Sequence, residues 1–152
     1  MKLSELHEAK PVALYTLIVD DDPKSDDVEA LAQGLNNHAV LYTHVAGFRE
    51  IGVFLRDEHG ALMGGVWGYV NWNWLWIGAV WLSEELRGRG YGRQMMEKLE
   101  NSARERGCRY AHLDTFSFQA RPFYEGLGYE VFATLDNYPP GHQRFFMKKA
   151  LK

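Results

Sequence analysis

A chain of 152 residues suits one domain and is long enough to bury a real core. Its apolar share of 46% and charged share of 24% are those of an ordinary globular protein, and a net charge of −3 offers no basic footprint for nucleic acid. The single cysteine, Cys108, excludes an internal disulfide and points to a reducing compartment, and no apolar run reaches the roughly 18 residues of a membrane span.

The opening stretch MKLSELHEAK lacks the apolar h-region of a signal peptide, so a cytoplasmic protein without a membrane partner is expected. Residues 12–19 read as a first strand, stopped by the solvated turn Asp20-Asp21-Asp22-Pro23. Ser25 or Asp26 can cap a short helix over 27–36, with Val28, Leu31, Ala32 and Leu35 on one face. Residues 37–50 show no clean period and read as loop with some helical turn.

A meander of strands follows. Residues 51–56 lead into the turn Asp57-Glu58-His59-Gly60, 61–70 into Asn71-Trp72-Asn73, and 74–82 form the third strand. These strands are apolar on both faces, as in a sheet covered on both sides. The five tryptophans, Trp67, Trp72, Trp74, Trp76 and Trp81, crowd this meander. Core is the expectation for most, with Trp72 exposed in its turn; a substrate wall or a homodimer interface is the alternative.

After Gly92 the apolar period changes from 2 to 3.6. Met95, Met96, Leu99 and Ala103 mark a helix with a Glu100–Arg104 pair, ended by Gly107. Cys108, just beyond it, reads as a small packed hydrophobe. A strand over 109–115, a short helix over 119–127 and strands over 129–135 and 143–149 complete the chain. The order β-α-β-β-β-α-β-α-β-β predicts a mixed α/β sheet with an antiparallel meander and a helical crossover.

The most informative segment is Val80-Trp81-Leu82-Ser83-Glu84-Glu85-Leu86-Arg87-Gly88-Arg89-Gly90-Tyr91-Gly92. A strand ends, an acidic turn intervenes, and a glycine-rich loop with two arginines opens a long helix. Glycines let the backbone approach an anion, the free N–H groups of the helix start point at it, and Arg87 and Arg89 add charge. The spacing fits neither a dinucleotide-binding GxGxxG nor a Walker loop, which needs Gly-Lys-Ser or Gly-Lys-Thr.

Arg87-Gly88-Arg89-Gly90-Tyr91-Gly92 resembles the (Gln/Arg)-x-x-Gly-x-(Gly/Ala) signature of the GNAT superfamily of N-acetyltransferases. Downstream, Ser117-Phe118-Gln119-Ala120-Arg121-Pro122-Phe123-Tyr124-Glu125-Gly126-Leu127-Gly128-Tyr129 resembles that superfamily's Asn-x-x-Ala-x-x-x-Tyr-x-x-x-Gly-(Phe/Tyr) segment. Both motifs stand in the family's order. The resemblance implies a GNAT-like sheet with a splayed pair of parallel strands, and acetyl-CoA as co-substrate with no metal. It implies coenzyme contacts from Val80, Trp81, Leu82, the loop Arg87, Gly88, Arg89, Gly90, Tyr91 and Gly92, and from Ser117, Gln119, Phe123 and Tyr124. It also implies Tyr124 as the acid that protonates the departing thiolate, acting on a small-molecule primary amine. A protein amine acceptor and a non-catalytic acetyl-CoA-binding module are the other readings.

The chain departs from the family pattern in two places. Ser117 stands where Asn is usual, with Gln119 as a substitute. Gly78 and Ala79 stand where many members carry an acidic base. An amine of pKa about 10.4 costs about 4–5 kcal/mol to deprotonate at pH 7, so another group must take the proton. The candidates are Asp114, His112 and His142. Asp114 and His112 share one face of their strand, and Phe116, Ser117 and Phe118 continue it toward the same cleft. The segment 136–142 is either a proline-stiffened connection or a flap over the acceptor, carrying Asp136, Tyr138 and His142.

Overall fold

A computed structural model of the chain describes residues 14–44 and 48–152. The described residues fall into two compact units, one up to Tyr42 and one from Thr43 onward. The first holds most of helix α1, Ser25–Thr43, which buries none of its side chains. This helix outruns the expected 27–36: it begins at Ser25, with Val28 N–H donating to the Lys24 carbonyl, and takes in 37–43 of the stretch expected as loop, whose last two residues join β1. Nothing in 37–43 breaks a helix, since neither Gly nor Pro intervenes.

The stretch 12–19, expected as a strand, is seen only in part, and its described residues form none. Its first two residues lie outside the described residues, and 14–19 adopt no regular element, with Leu14 and Leu17 fully exposed. An apolar run makes a strand only where a neighbouring ladder receives it.

The second unit is built on a six-stranded sheet. Its strands are β1 (Arg49–Arg56), β2 (Leu62–Asn71), β3 (Trp74–Leu82), β4 (Tyr110–Phe116), β5 (Glu130–Asp136) and β6 (Gln143–Ala150), in spatial order β1-β2-β3-β4-β6-β5. Every neighbouring pair is antiparallel except β3 and β4, which run parallel through the crossover helix α2 (Tyr91–Glu105). The short helix α3 (Arg121–Gly126) follows β4, with a proline in its first turn.

The turns form as their residues dictate. Asp57 Oδ1 accepts from the His59 and Ala61 N–H groups to close the first hairpin. Trp72 and Asn73 both take positive φ, the pattern that turns a two-residue hairpin with the right twist.

The core lies on the α2 side of the sheet. Met95, Met96, Leu99 and Ala103 meet Val66, Leu75, Ile77, Leu113 and Met147, all buried. Cys108 joins them, and burial pushes its thiol pKa up, as for an inert packed hydrophobe. The tryptophans depart from expectation, because none is in this core. Trp67, Trp74 and Trp76 are half-buried on the opposite face, and Trp72 and Trp81 are exposed. Strand alternation is the reason: Leu75 and Ile77 take the α2 face, which leaves Trp74 and Trp76 on the other.

Candidate active site

The parallel pair comes apart partway along. Its ladder runs from Trp74↔Tyr110 to Ile77↔Leu113 and stops. Beyond that point β3 stays paired with β2 as far as Gly64↔Leu82, and β4 stays paired with β6 as far as Phe116↔Arg144. Each strand is held by its outer neighbour, so a wedge opens between residues 78–82 and 114–116.

The N-terminus of α2 lies at this wedge. A 3-10 turn over Glu84–Leu86 leads from β3 into the glycine loop. Gly88 (φ +71°) and Gly90 (φ +84°) take left-handed backbone, which a side chain would strain. Gly90 is the N-cap of α2 and offers no side-chain cap, so the first N–H groups of the helix stay available to an anion.

A cleft of about 470 Å³ runs along the wedge, lined by Val80, Trp81 and Leu82 on one side and Phe123 and Tyr124 on the other. Arg87, Gly88, Gly90 and Gly92 close its loop end. Arg93, Met95 and Ala120 also line it; sequence reading missed them. The helical period could have flagged Arg93 and Met95, which fall within the first turns of α2.

Several coenzyme candidates are also tied into the fold. Arg87 turns its Nε to the Leu82 carbonyl (3.1 Å) and pairs with Glu84 (3.8 Å), bracing the turn. Arg89 and Tyr91 are outside the cleft lining. Ser117 Oγ accepts from the Gln143 N–H (3.1 Å) and lies 3.2 Å from His142 Nδ1. Gln119 Oε1 accepts from the Phe116 N–H (3.1 Å) and the Thr115 hydroxyl (3.2 Å), tying off the end of β4.

Tyr124 is buried, with its ring edge-on to Phe123 at 5.2 Å. Burial, helped by the negative charge of Asp114, pushes its pKa up to about 12. A phenol so placed is neutral through the physiological range and keeps a proton to give.

Asp114 is the first β4 residue past the last β3 pairing, on the face away from α2. Its Oδ2 receives both Nε and Nη2 of Arg144, each at 2.8 Å. The guanidinium lies over three rings, Phe116 (5.5 Å), Tyr138 (5.3 Å) and Phe146 (5.2 Å). The 136–142 connection therefore folds back onto the end of β4, with Tyr138 stacked on Phe116 and His142 edge-on to Phe118 at 5.0 Å. Asp136 stays at the hairpin's base, accepting from Gln143 Nε2 (2.7 Å). His112 is edge-on to Trp74 and lines the larger hollow described below, and burial lowers its pKa against the pull of Asp114.

A larger hollow of about 630 Å³, lined by Tyr69, Trp72, Trp74, Trp76 and His112 among others, lies on that same face. It flanks the stretch where β3 and β4 are still joined. The glycine loop and Tyr124 converge on the smaller cleft, where the strands part, which makes it the candidate active site.

Comparison with known proteins agrees with this geometry. The profile of the acetyltransferase (GNAT) family matches residues 12–129. The blasticidin-S acetyltransferase of Streptomyces morookaense is 38% identical over 95 residues, 62% of this chain and 70% of that protein. The crystal structure of an acetyltransferase from Bacillus cereus superposes with a TM-score of 0.76 at 31% identity, covering 88% of this chain and 97% of its own. A crystal structure from Agrobacterium tumefaciens shares the fold, with a TM-score of 0.84 at 22% identity over 90% of this chain and 99% of its own. With the splayed strands, the glycine loop and these relatives in agreement, the chain belongs to the GNAT family and is an acetyl-CoA-dependent N-acetyltransferase.

Proposed function

We propose that the enzyme acetylates the primary amine of a small molecule by direct transfer, with acetyl-CoA and acceptor bound together. The observation that carries this reading is the wedge between β3 and β4. It is open to the glycine loop on one side of the sheet and to Asp114 on the other, so donor and acceptor can approach one point from opposite faces. The relative that acetylates blasticidin-S, a small molecule, supports the acceptor class.

Acetyl-CoA supplies an activated acyl group on a thiol leaving group. The residues of the chain do the rest. The loop from Arg87 to Gly92 and the α2 N-terminus hold the pyrophosphate, where each favourable charge interaction contributes about 0.3–1 kcal/mol. Val80 and Leu82 offer backbone groups to the pantetheine arm, and the Val80 N–H polarises the thioester carbonyl. The acceptor nitrogen forms the new C–N bond as the C–S bond breaks. Tyr124 gives its proton to the leaving sulfur and regains one from solvent. Asp114 or His142, through water, takes the proton released by the amine.

Thermal shift with acetyl-CoA, followed by thiol release over a panel of amines, tests the reading. A rise in melting temperature together with amine-dependent thiol release is expected. Binding without thiol release for any amine would leave a coenzyme-binding module instead.

A further inference from the structure

Asp114 and Arg144 are half-committed to each other. Both guanidinium donors of the ion pair converge on the single oxygen Oδ2. No described residue hydrogen-bonds Oδ1, and Nη1 takes no part in the pair, although the Tyr138 hydroxyl is a further hydrogen-bond partner of the guanidinium. The two side chains are 21% and 27% exposed, enough for a small molecule to reach them. Phe116, Tyr138 and Phe146 surround the guanidinium, removing part of its water and fixing its plane. The pair stands at the mouth of the wedge, one residue past the last β3–β4 pairing, on the face from which the acceptor comes.

An open acceptor beside a guanidinium whose five N–H donors are not exhausted by Asp114 and Tyr138 complements a molecule that offers the reverse: an N–H for Oδ1 and an anionic oxygen for the remaining guanidinium N–H groups. A purely cationic amine satisfies only the first and faces the positive charge of Arg144. We infer that Asp114 and Arg144 select an acceptor that carries a carboxylate close to the reacting amine, as in an amino acid. The inference rests on the acetyl-transfer reading above and adds the acceptor's chemical class. Arg144 is in this role a specificity-determining residue. Asp114 orients the amine through Oδ1, whether or not it also takes the proton.

Matched acceptors test this. L-phenylalanine against 2-phenylethylamine, L-lysine against cadaverine, and β-alanine against ethylamine differ chiefly by the carboxylate. With saturating acetyl-CoA, kcat/KM from thiol release, corrected for the fraction of neutral amine, should favour the carboxylated member of the best-used pair by at least about tenfold. Arg144→Gln should bring that ratio toward one, through KM of the carboxylated member. Arg144→Lys, which keeps the charge, should retain part of the preference, whereas a merely structural arginine would give no such graded effect on the ratio. If Arg144→Gln does not fold, the wild-type ratio and the lysine variant decide.

Equal use of both members, preference for the plain amine, or an undiminished ratio in Arg144→Gln would overturn the inference. So would failure to acetylate either member of any pair while acetyl-CoA still raises the melting temperature. If acetyl-CoA itself fails to bind, the acetyl-transfer reading has failed first, and the two failures are told apart.

Discussion

Gly78 lies directly beneath the ring of Trp76: a Cβ on Gly78 would stand 2.4 Å from the ring carbon Cη2, with the Trp67 ring at 2.9 Å. Both rings are hemmed in, Trp76 by Tyr69 at 4.4 Å and Trp67 by Trp76 at 5.8 Å, so neither can step aside cheaply. At position 78 the missing strand carboxylate therefore has a steric cause, which does not extend to the exposed Ala79. Two indoles fill the space that an acidic side chain would need, and the proton must leave by another route.

Gly78→Ala should accordingly destabilise the protein by about 1–3 kcal/mol, the range for overpacking. That corresponds to a melting temperature lower by about 3–10 °C for a chain of this size. Gly78→Glu should be at least as unstable and gain no activity, because its carboxylate enters only by displacing the indoles. Thermal denaturation and thiol-release rates read both effects, and a more active Gly78→Glu enzyme would contradict the packing argument.

The coenzyme loop makes a second expectation. Gly90 holds φ +84° at the N-cap of α2, where a β-branched residue is strained by about 1–2 kcal/mol and crowds the anion's approach. Acetyl-CoA at about 100 times its dissociation constant should stabilise the wild type by about 2.7 kcal/mol. Gly90→Val should lower the apo melting temperature modestly and abolish the ligand-induced rise. Retention of that rise would mean the phosphates are held elsewhere.

Tyr124→Phe should lower kcat about ten- to a thousand-fold and leave coenzyme affinity nearly unchanged, since the hydroxyl acts in the transition state. With its pKa raised to about 12, the phenol should impose no alkaline loss of rate below about pH 11. The stability consequence has the same sign. A raised folded pKa favours the neutral phenol in the fold, so its contribution is complete below the unfolded value of about 10 and fades between about pH 10 and 12. An alkaline limb near pH 9 that Tyr124→Phe removes would contradict the burial argument.

What the sequence made legible was whatever local signals encode. The glycine loop, the apolar stripe of α2, the hairpin turns and the Tyr124 motif depend on residues a few positions apart, and each was placed correctly in the fold. Relations across strands were not readable. Asp114 and Arg144 are 30 residues apart and meet only because β4 and β6 pair in a particular register. The tryptophans misled because strands with apolar residues on both faces do not reveal which face the helix will cover. Residues 14–19 misled for a related reason, since an apolar run rich in strand-forming residues records a capacity to pair and not a partner.

Glu100 shows the same limit and carries a prediction of its own. Its helical spacing predicted only an i,i+4 pair with Arg104, but Glu100 is 2% exposed and its partners reach beyond the helix. It accepts from the Tyr129 hydroxyl (2.9 Å) and Lys149 Nζ (2.7 Å), with Arg104 at 3.6 Å, and burial with this charge nearby raises the Tyr129 pKa. Glu100→Ala should cost about 2–4 kcal/mol, less than for a fully buried pair because Lys149 keeps some access to water. Chemical denaturation measures it, and a loss under about 0.5 kcal/mol would mean the network contributes no net stability.

The final prediction concerns the amine's proton. With residue 78 closed to a side chain, Asp114 and His142 are the groups proposed to serve. Asp114 is at the wedge with Oδ1 open, and His142 is exposed beside Ser117 at the end of β4. Either predicts kcat/KM rising from an acidic limb, because the base must be deprotonated to act. His142→Ala should remove or displace that limb if the imidazole takes the proton, and Asp114→Asn should do so if the carboxylate does. The two variants also differ in KM. Asp114→Asn frees Arg144 from its ion pair and should raise KM for the acceptor, whereas His142→Ala leaves that pair intact and should affect kcat more than KM. If both variants keep the parental pH profile and at least about half the rate, neither residue is the base. The enzyme then draws its acceptor already neutral from solution, and across a series of amines the rate should track the acceptor's own pKa.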